Sequence, residues 1–201
     1  MMQPCQPITL TEGGVLLRPM QLDDEAGLAE AAADGQLWKL RVTSVPAPGE
    51  TRSYIETALR MQSEGHRLPF TVVEQASGRI IGSTSYHDIL PAVGRLEIGY
   101  TWYAQRVQRS HVNTTAKLML LRHAFDTLGW LTVGWRVDNF NLRSQRAVER
   151  LGAKKDGVIR GQALRRDGSI RDTVMYSLTR GEWPEVHIHL RDLLQGQRPA
   201  A

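Results

Sequence analysis

The residues best suited to binding an anion lie in a basic loop that runs into a helix-forming segment, from Gln108 to Lys117. Three of them are of the types that cap helix N-termini: Ser110, Asn113 and Thr114. The first backbone N–H groups of a helix have no partner inside it, and they point at one place together with the positive end of the helix dipole. A phosphate binds well there, and Arg106 and Arg109 would add positive charge. A helix start behind a solvent-exposed basic loop explains the same residues, so both interpretations remain open.

Two predicted strand–helix pairs position this loop and its neighbours. The first strand, 95–103, alternates, with Leu96, Ile98, Tyr100 and Trp102 on one face and Glu97, Gly99 and Thr101 on the other. The helix after the loop repeats apolar residues at three- and four-residue steps up to Gly129, which predicts one apolar face. A second strand over 131–138 leads into a helix that Asn141 caps and Gly152 ends.

The remaining predicted elements mix hairpins with crossover helices. The predicted strands cover 15–19, 70–74, 79–86, 158–166 and 170–178, and the predicted helices cover 23–33, 50–63 and 182–194. Because both kinds of connection occur, we expect a mixed, mostly antiparallel sheet in an α+β fold with helices layered on its two faces. A single domain over 1–201 is expected, with a core at about 15–183 and a C-terminal helix and tail over 184–201. Residues 1–14 are expected to be loose.

Composition argues against several classes of protein. The chain has 201 residues, is 41% hydrophobic and carries a net charge of +4. The basic residues form no block, so no nucleic-acid binding is expected, although a mildly positive protein suits an anionic ligand. Cys5 is the only cysteine, and no residues have the spacing of a metal site, so neither an intrachain disulfide nor a metal is expected. Without a signal segment or a run of roughly 18 apolar residues, we expect a cytoplasmic protein that does not enter a membrane.

The second strand–helix pair carries a family resemblance. The matching positions are Asp138, Asn141, Ser144, Ala147 and the run 150–153. Their spacing resembles that of GNAT-type (Gcn5-related) N-acetyltransferases, in the subgroup that includes the Rim-type ribosomal-protein N-terminal acetyltransferases. The C-terminal hairpin is similar as well, at 167–168, 171–172 and 176–177. In element order the resemblance covers roughly 15–183.

The loop before the first helix resembles the family in part. The family's phosphate loop has Gln or Arg, two residues, Gly, one residue, then Gly or Ala. Gln108 fills the first place, whereas His111 stands where Gly is usual and Asn113 where Gly or Ala is usual. The helix itself, through 113–117 and 121–125, is closer to the subgroup's own helix.

The resemblance implies transfer of an acetyl group from acetyl-CoA to a primary amine by direct attack in a ternary complex. The amine would belong to a protein N-terminus, a peptide or a small molecule. The strands over 95–103 and 131–138 would splay apart, and the pantetheine arm would lie in the gap like an added strand. The implied cofactor-binding residues are Gln108, Arg109, Ser110, His111, Val112, Asn113 and Thr114 at the pyrophosphate, Asn141 and Ser144 near the thiol, and Arg143 and Arg146 at the nucleotide phosphates.

Glu97 is the candidate general base, because the resemblance places its strand beside the cofactor gap. The predicted alternation would equally let Glu97 face solvent. The alternative titrating groups are His87, His111 and His123. Ser144 is the candidate proton donor to the CoA thiolate if Tyr176 is buried. Cys5, the only thiol, is poorly placed to carry an acetyl group.

Other interpretations stay open at this point. The altered phosphate loop is compatible with a non-catalytic acyl-CoA-binding module, which would bind CoA without turnover. Asn141 needs no ligand to explain it, since it is a good helix cap. The sequence is also compatible with a homodimer.

Overall fold

Eight β-strands form one sheet in the computed structural model, which describes residues 2–196. The strands are β1 (Leu10–Glu12), β2 (Val15–Pro19), β3 (Arg67–Glu74), β4 (Arg79–Leu90), β5 (Arg95–Tyr103), β6 (Thr132–Asp138), β7 (Lys154–Leu164) and β8 (Ile170–Thr179). They lie side by side in the order β1-β2-β3-β4-β5-β6-β8-β7. Every neighbouring pair is antiparallel except β5 and β6, which are parallel. The predicted mixed, mostly antiparallel sheet is therefore confirmed.

Five α-helices flank the sheet: α1 (Glu25–Ala33), α2 (Thr51–Ser63), α3 (Val112–Arg122), α4 (Leu142–Arg150) and α5 (Trp183–Gly196). Neighbouring residues of β4 show that α2 and α3 cover opposite faces. The Ser83 hydroxyl is 3.2 Å from the Tyr54 hydroxyl of α2, whereas the Thr84 hydroxyl is 3.2 Å from the Lys117 ammonium of α3. Because successive side chains of a strand point to opposite faces, the sheet lies between two layers of helices, as predicted. No helix within residues 2–196 has the length and apolar character needed to cross a bilayer.

The parallel pair β5–β6 stays together for only three residues. Arg95–Glu97 pair with Thr132–Gly134, and the two strands then diverge. From Ile98 onward the side of β5 that faces β6 has no strand partner among the described residues, while β6 continues to pair with β8 up to Asp138. The gap that the family resemblance implies between these strands is therefore present.

A β-bulge interrupts β5 beside this gap, where Tyr100 and Thr101 together oppose Thr84 of β4. Tyr100 has φ +50°, which lies outside the range of a strand. The extra residue shifts the alternation by one, so that Tyr100 and Trp102 share the face of Glu97. The predicted alternation, which put Glu97 opposite those two aromatic residues, is therefore wrong.

Helix α3 is buried nearly all round rather than along one face. Of the residues from Val112 to Leu121, only Asn113 is not buried. The helix lies against the sheet and also contacts α5 and strands β1 and β2, which accounts for the additional burial. Each large apolar side chain buried here contributes about 1.5–3 kcal/mol. The helix continues into one π-helical turn over His123–Thr127.

Two segments are more regular than the sequence predicts. The expectation of a loose 1–14 is wrong in part, because this segment contains β1, and Gln3 is hydrogen-bonded to Leu128 and Trp130. Strand β7 begins at Lys154, four residues before the predicted start. A three-residue strand is too short to show a repeating pattern, and the first residues of β7 are polar and exposed.

Candidate active site

The junction between β5 and α3 presents a group of free backbone donors. A short 3₁₀ turn over Gln105–Val107 leaves the strand, and Arg109 follows with φ +64°. No acceptor is found among the described residues for the N–H groups of Arg109, Ser110, His111, Asn113 and Thr114. These groups and the positive end of the helix dipole lie where the sequence predicts an anion site, and an arrangement of this kind suits an anion.

His111 does not occupy this site with its ring. Its Nε2 lies 3.0 Å from the carbonyl oxygen of Gly13, in the turn between β1 and β2, and the side chain is exposed. Ser110 is turned back on the loop, since its hydroxyl donates to the carbonyl of Val107 at 2.6 Å. The loop therefore offers backbone rather than side-chain donors at these two positions.

Two further predicted cofactor-binding residues, Val112 and Thr114, have buried side chains. The Thr114 hydroxyl accepts a hydrogen bond of 3.1 Å from Arg150 of α4. Only the backbone of these residues can reach a ligand. Arg109 and Asn113 remain accessible, as exposed and half-buried residues.

Gln108 links the loop to two other elements. Its Nε2 donates to the carbonyl of Tyr103 at the end of β5 (2.7 Å), and its Oε1 accepts from Nη2 of Arg143 on α4 (2.6 Å). Gln108 and Arg143 line a surface cleft of about 510 Å³, together with Gly35 and Lys39 from the segment after α1. The predicted phosphate-binding residues therefore adjoin an open cleft that carries two exposed cationic side chains.

Asn141 is the N-cap of α4, as predicted. Its Oδ1 accepts from the backbone N–H of Ser144 at 3.1 Å, and its Nδ2 donates to the carbonyl of Val42 at 3.4 Å. The Ser144 hydroxyl forms no hydrogen bond within the described part of the chain. Tyr176, by contrast, is buried and donates to Glu149 at 2.8 Å, and burial together with this bond raises its pKa to about 12. Ser144 is thus the freer of the two hydroxyls.

Glu97 is not a solvent-facing residue. It is 1% exposed, at the last position where β5 pairs with β6. Nη2 of Arg95 lies 3.5 Å from its Oε1, and Nε of Arg136 lies 3.0 Å from its Oε2. The contact with Arg136 lacks hydrogen-bond orientation, so it is a charge contact. The predicted base is therefore held between two guanidinium groups.

His87 lies directly across from Glu97 on β4. Its Nδ1 is 2.8 Å from Oδ2 of Asp88, which also contacts Arg136 at 3.2 Å. The bond from His87, with the charge of Arg136, holds the pKa of Asp88 below its usual range. Nε2 of His87 packs over Gly99, where a β-carbon would come within 2.2 Å of it. This nitrogen has no hydrogen-bond partner within residues 2–196.

The three residues His87, Asp88 and Glu97 bring their ligand-type atoms within 4.8 Å of one another. Sequence spacing gave no sign of this cluster, because β4 and β5 bring the residues together across a strand pair. The guanidinium group of Arg136 already contacts both carboxylates, and that of Arg95 contacts Glu97. The cluster is thus a charge-matched network at the base of the open strand edge.

A second cavity, of about 420 Å³, lies on the same face of the sheet. Its lining includes Val45, Glu50, Tyr54, Arg67, Tyr100 and Arg166. The bulge turns Tyr100 toward this cavity and places its ring 5.1 Å from that of His87. The cavity therefore adjoins the charged cluster from the side opposite α3. Arg67 was not singled out by the sequence, because one arginine in a strand has no distinctive pattern.

Lys117 was also not singled out as a special residue. It is 4% exposed, and its ammonium donates to the hydroxyls of Thr84 (3.2 Å) and Thr101 (2.8 Å). No carboxylate lies within 4 Å of it among the described residues. Burial lowers its pKa to about 7. It lies on the α3 face, across the sheet from the charged cluster.

Comparison with known proteins identifies this architecture. Residues 15–154 match the family described as an acetyltransferase (GNAT) domain. A GCN5-related N-acetyltransferase from Brucella melitensis has a TM-score of 0.85 and 26% identity, with 96% of this chain and 88% of that chain covered. Mycobacterium smegmatis RimJ in complex with CoA-disulfide shares the fold, with a TM-score of 0.74, 22% identity and coverage of 91% and 90%. The uncharacterized N-acetyltransferase YoaA of Bacillus subtilis (strain 168) is 23% identical over 174 residues, 87% of this chain and 97% of that protein.

The matched range contains the open edge of β5, the donor-rich start of α3 and the capped start of α4. It covers well over half of the chain. The chain therefore belongs to the GNAT acetyltransferase family.

Proposed function

We propose that this acetyltransferase moves the acetyl group of acetyl-CoA to a primary amine by direct attack within a ternary complex. The observation that carries this proposal is the open edge of β5 beyond Glu97, which leads to a loop and helix start where five N–H groups have no acceptor among residues 2–196. The amide groups of a pantetheine arm can pair with an open strand edge, and a pyrophosphate suits a helix N-terminus. The CoA-disulfide bound by RimJ, which shares the fold, supports the same class of ligand.

The predicted cofactor residues take distinct roles in this proposal. Backbone N–H groups around Ser110 and His111 hold the pyrophosphate. Arg109 and Arg143 supply charge, and Arg143 exchanges its bond with Gln108 for one with a phosphate. Asn141 acts as a positioning residue, since its cap fixes the first turn of α4, where Ser144 lies.

The transfer needs little chemistry from the protein. The amine nitrogen attacks the thioester carbonyl carbon, a C–N bond forms, and the C–S bond breaks to give CoA thiolate. A backbone N–H in the open part of β5 polarises the carbonyl oxygen. The amine loses one proton to a base, and the Ser144 hydroxyl gives a proton to the thiolate and regains one from solvent.

The contacts favour His87 over Glu97 as the base. Both oxygens of Glu97 face guanidinium groups. His87, in contrast, has an Nε2 without a partner in the described part of the chain, while its Nδ1 contacts Asp88. A carboxylate on Nδ1 fixes the tautomer that leaves a lone pair on Nε2. A neutral imidazole nitrogen can accept a proton from the amine, which suits a general base. Glu97 then fixes the arginines beside the site, and it stays the alternative base through a water molecule.

Two variants separate these roles. His87→Gln should lower turnover by roughly two orders of magnitude with little change in acetyl-CoA affinity, because only proton transfer is lost. Glu97→Gln should lower turnover less. The pH profile of kcat/KM should keep its acidic limb in Glu97→Gln and lose it in His87→Gln. The opposite pattern would return the role of base to Glu97, as the sequence predicts.

The experiment that tests the function itself is an acceptor screen with acetyl-CoA. Acetylated products and free CoA are quantified together by mass spectrometry, so that hydrolysis is distinguished from transfer. The panel holds peptides with free N-termini, which the Rim-type resemblance suggests, and small amines. Equal amounts of acetyl-amine and CoA support the proposal. Tight CoA binding without any transfer would support a non-catalytic acyl-CoA-binding module instead.

A further inference from the structure

Arg67 is a buried cation that pairs with no carboxylate of the described residues. It is 2% exposed, at the start of β3, and no acidic side chain among the described residues lies within 4 Å of its guanidinium. Its Nε donates to the Ser85 hydroxyl at 2.9 Å and its Nη2 to the Tyr54 hydroxyl at 3.3 Å. A guanidinium has five N–H donors, so three remain without a partner within residues 2–196. Buried charges are normally paired, which makes this arrangement costly unless a ligand completes it.

The guanidinium lies at the wall of the cavity of about 420 Å³. It stacks on the ring of Tyr100, with 3.8 Å between the guanidinium carbon and the ring centroid, and lies 5.5 Å from the ring of Tyr54. These π faces offset part of the lost hydration and hold the planar group in one orientation. A flat, fixed guanidinium with unused donors matches a carboxylate, which it can bind through two parallel hydrogen bonds.

The charges that line the cavity leave the positive charge of Arg67 uncompensated. The charged residues of the lining are Arg67, Arg166 and Glu50. Glu50 is bonded to Nη2 of Arg166 and to the backbone N–H of Ala47, so its negative charge is already engaged. One net positive charge therefore faces a cavity that is otherwise lined by aromatic, hydroxyl and apolar side chains.

The cavity also adjoins the point of transfer. Tyr100, whose ring stacks against the guanidinium of Arg67, lies in the open part of β5 beside His87 and Gly99. A group bound over Tyr100 is therefore close to an amine that attacks a thioester lying along β5.

We infer that the acceptor carries a carboxylate within a few bonds of the amine that is acetylated, and that Arg67 binds this carboxylate and determines specificity for it. The inference rests on the proposed acetyl transfer and adds the class of acceptor. Two sources of the carboxylate are compatible with the cavity: the α-carboxylate of a free amino acid, or an acidic side chain next to the N-terminus of a peptide.

The test compares acids with their matched neutral amides, in binding and in turnover. Protein saturated with CoA is titrated calorimetrically with the N-acetyl derivatives of the twenty amino acids and with the carboxamide of each. A second series holds N-acetyl dipeptide amides with Asp or Glu at the second position against Asn or Gln. Acceptor turnover is measured with the corresponding free amines. We expect at least one acid to bind tenfold or more tightly than its amide, and the series in which it occurs identifies the source.

Variants of Arg67 assign that preference to its charge. Arg67→Met should reduce the acid-to-amide ratio to about one, through KM rather than kcat for the acid, while the acetyl-CoA-induced rise in melting temperature is kept. Arg67→Lys should keep part of the ratio. Arg60→Met, at an exposed position of α2 where the arginine pairs with Glu64, is the matched control and should keep all of it.

The inference is overturned if no acid binds better than its amide, or if the preference survives in Arg67→Met. Failure of the proposed function has a different signature, which is loss of the acetyl-CoA-induced melting shift or of transfer to any amine in the wild type. A variant that does not fold is recognised by its melting curve. In that case the comparison of acids with amides in the wild type decides whether the acceptor carries a carboxylate.

Discussion

Replacing Lys117 by Met should make the protein more stable near neutral pH. The pKa of Lys117 is about 7 in the folded protein, against 10.5 for an ordinary lysine. Between these values the unfolded chain binds more protons than the folded one, so the unfolding free energy of the wild type rises with pH. A shift of this size corresponds to about 5 kcal/mol, at about 1.4 kcal/mol per pH unit. At pH 7 the unfolding free energy of the wild type is therefore lower, by most of this amount, than at a pH where Lys117 is neutral in both states.

Methionine removes the titrating group and leaves no obvious unsatisfied partner. The hydroxyls of Thr84 and Thr101 are 2.8 Å apart and can bond to each other without the ammonium. The advantage of Lys117→Met over the wild type should therefore be constant below about pH 7 and shrink by about 1.4 kcal/mol for each pH unit above it, until about pH 10.5.

Urea unfolding of both proteins at pH 7, 8 and 9 measures this difference directly. Other titrating groups cancel, because they are common to both proteins. Lys155→Met, at an exposed position of β7, is the matched control and should show no pH-dependent difference from the wild type. A difference between Lys117→Met and wild type that is independent of pH would refute the reasoning, since it would mean that Lys117 stays charged inside the fold.

Three further variants test other parts of the structure. Arg165→Met should cost about 3–5 kcal/mol in urea unfolding, because Asp138 is then left as a buried carboxylate without its 2.7 Å partner; a loss below 1 kcal/mol would contradict this. Gly99→Ala should lower turnover roughly 100-fold at unchanged acetyl-CoA affinity, because the new β-carbon displaces His87. Normal turnover in this variant would show that His87 is not the base. His111→Gly should leave CoA affinity nearly unchanged in calorimetry, because the ring contacts the carbonyl of Gly13 and not the predicted anion site. A marked loss of CoA affinity, together with loss of its pH dependence, would show that the ring binds CoA directly.

The repeating patterns of the sequence were sufficient to predict the layered mixed sheet and the capped start of α4. Hydrophobic periodicity is local, and so is the bond from Asn141 to Ser144. The bulge in β5 was not predictable in this way. A bulge of one extra residue does not show in the pattern of apolar and polar residues, but it changes which side chains share a face. Simple alternation therefore predicts Tyr100 and Glu97 on opposite faces, whereas the bulge places them on the same face.

The sequence indicated the part of the candidate site that one segment forms, and it gave no indication of the parts where several segments meet. The loop before α3 is continuous in sequence, so its donors could be anticipated from capping residues alone. The network of His87 with Glu97 depends on strand register, and the cavity around Arg67 is formed by α2, β3, β5 and two loops. Nothing in the sequence indicated that Lys117 is buried, because its burial depends on what packs against every side of α3.

Thermal unfolding with and without acetyl-CoA tests the central claim most directly, namely that the open edge of β5 and the start of α3 bind the acetyl donor. Binding only to the folded state at 100 times the dissociation constant stabilises by about 2.7 kcal/mol. For a chain of this length, that predicts a melting temperature higher by about 5–10 °C at millimolar acetyl-CoA. An unchanged melting temperature at millimolar acetyl-CoA would contradict the claim.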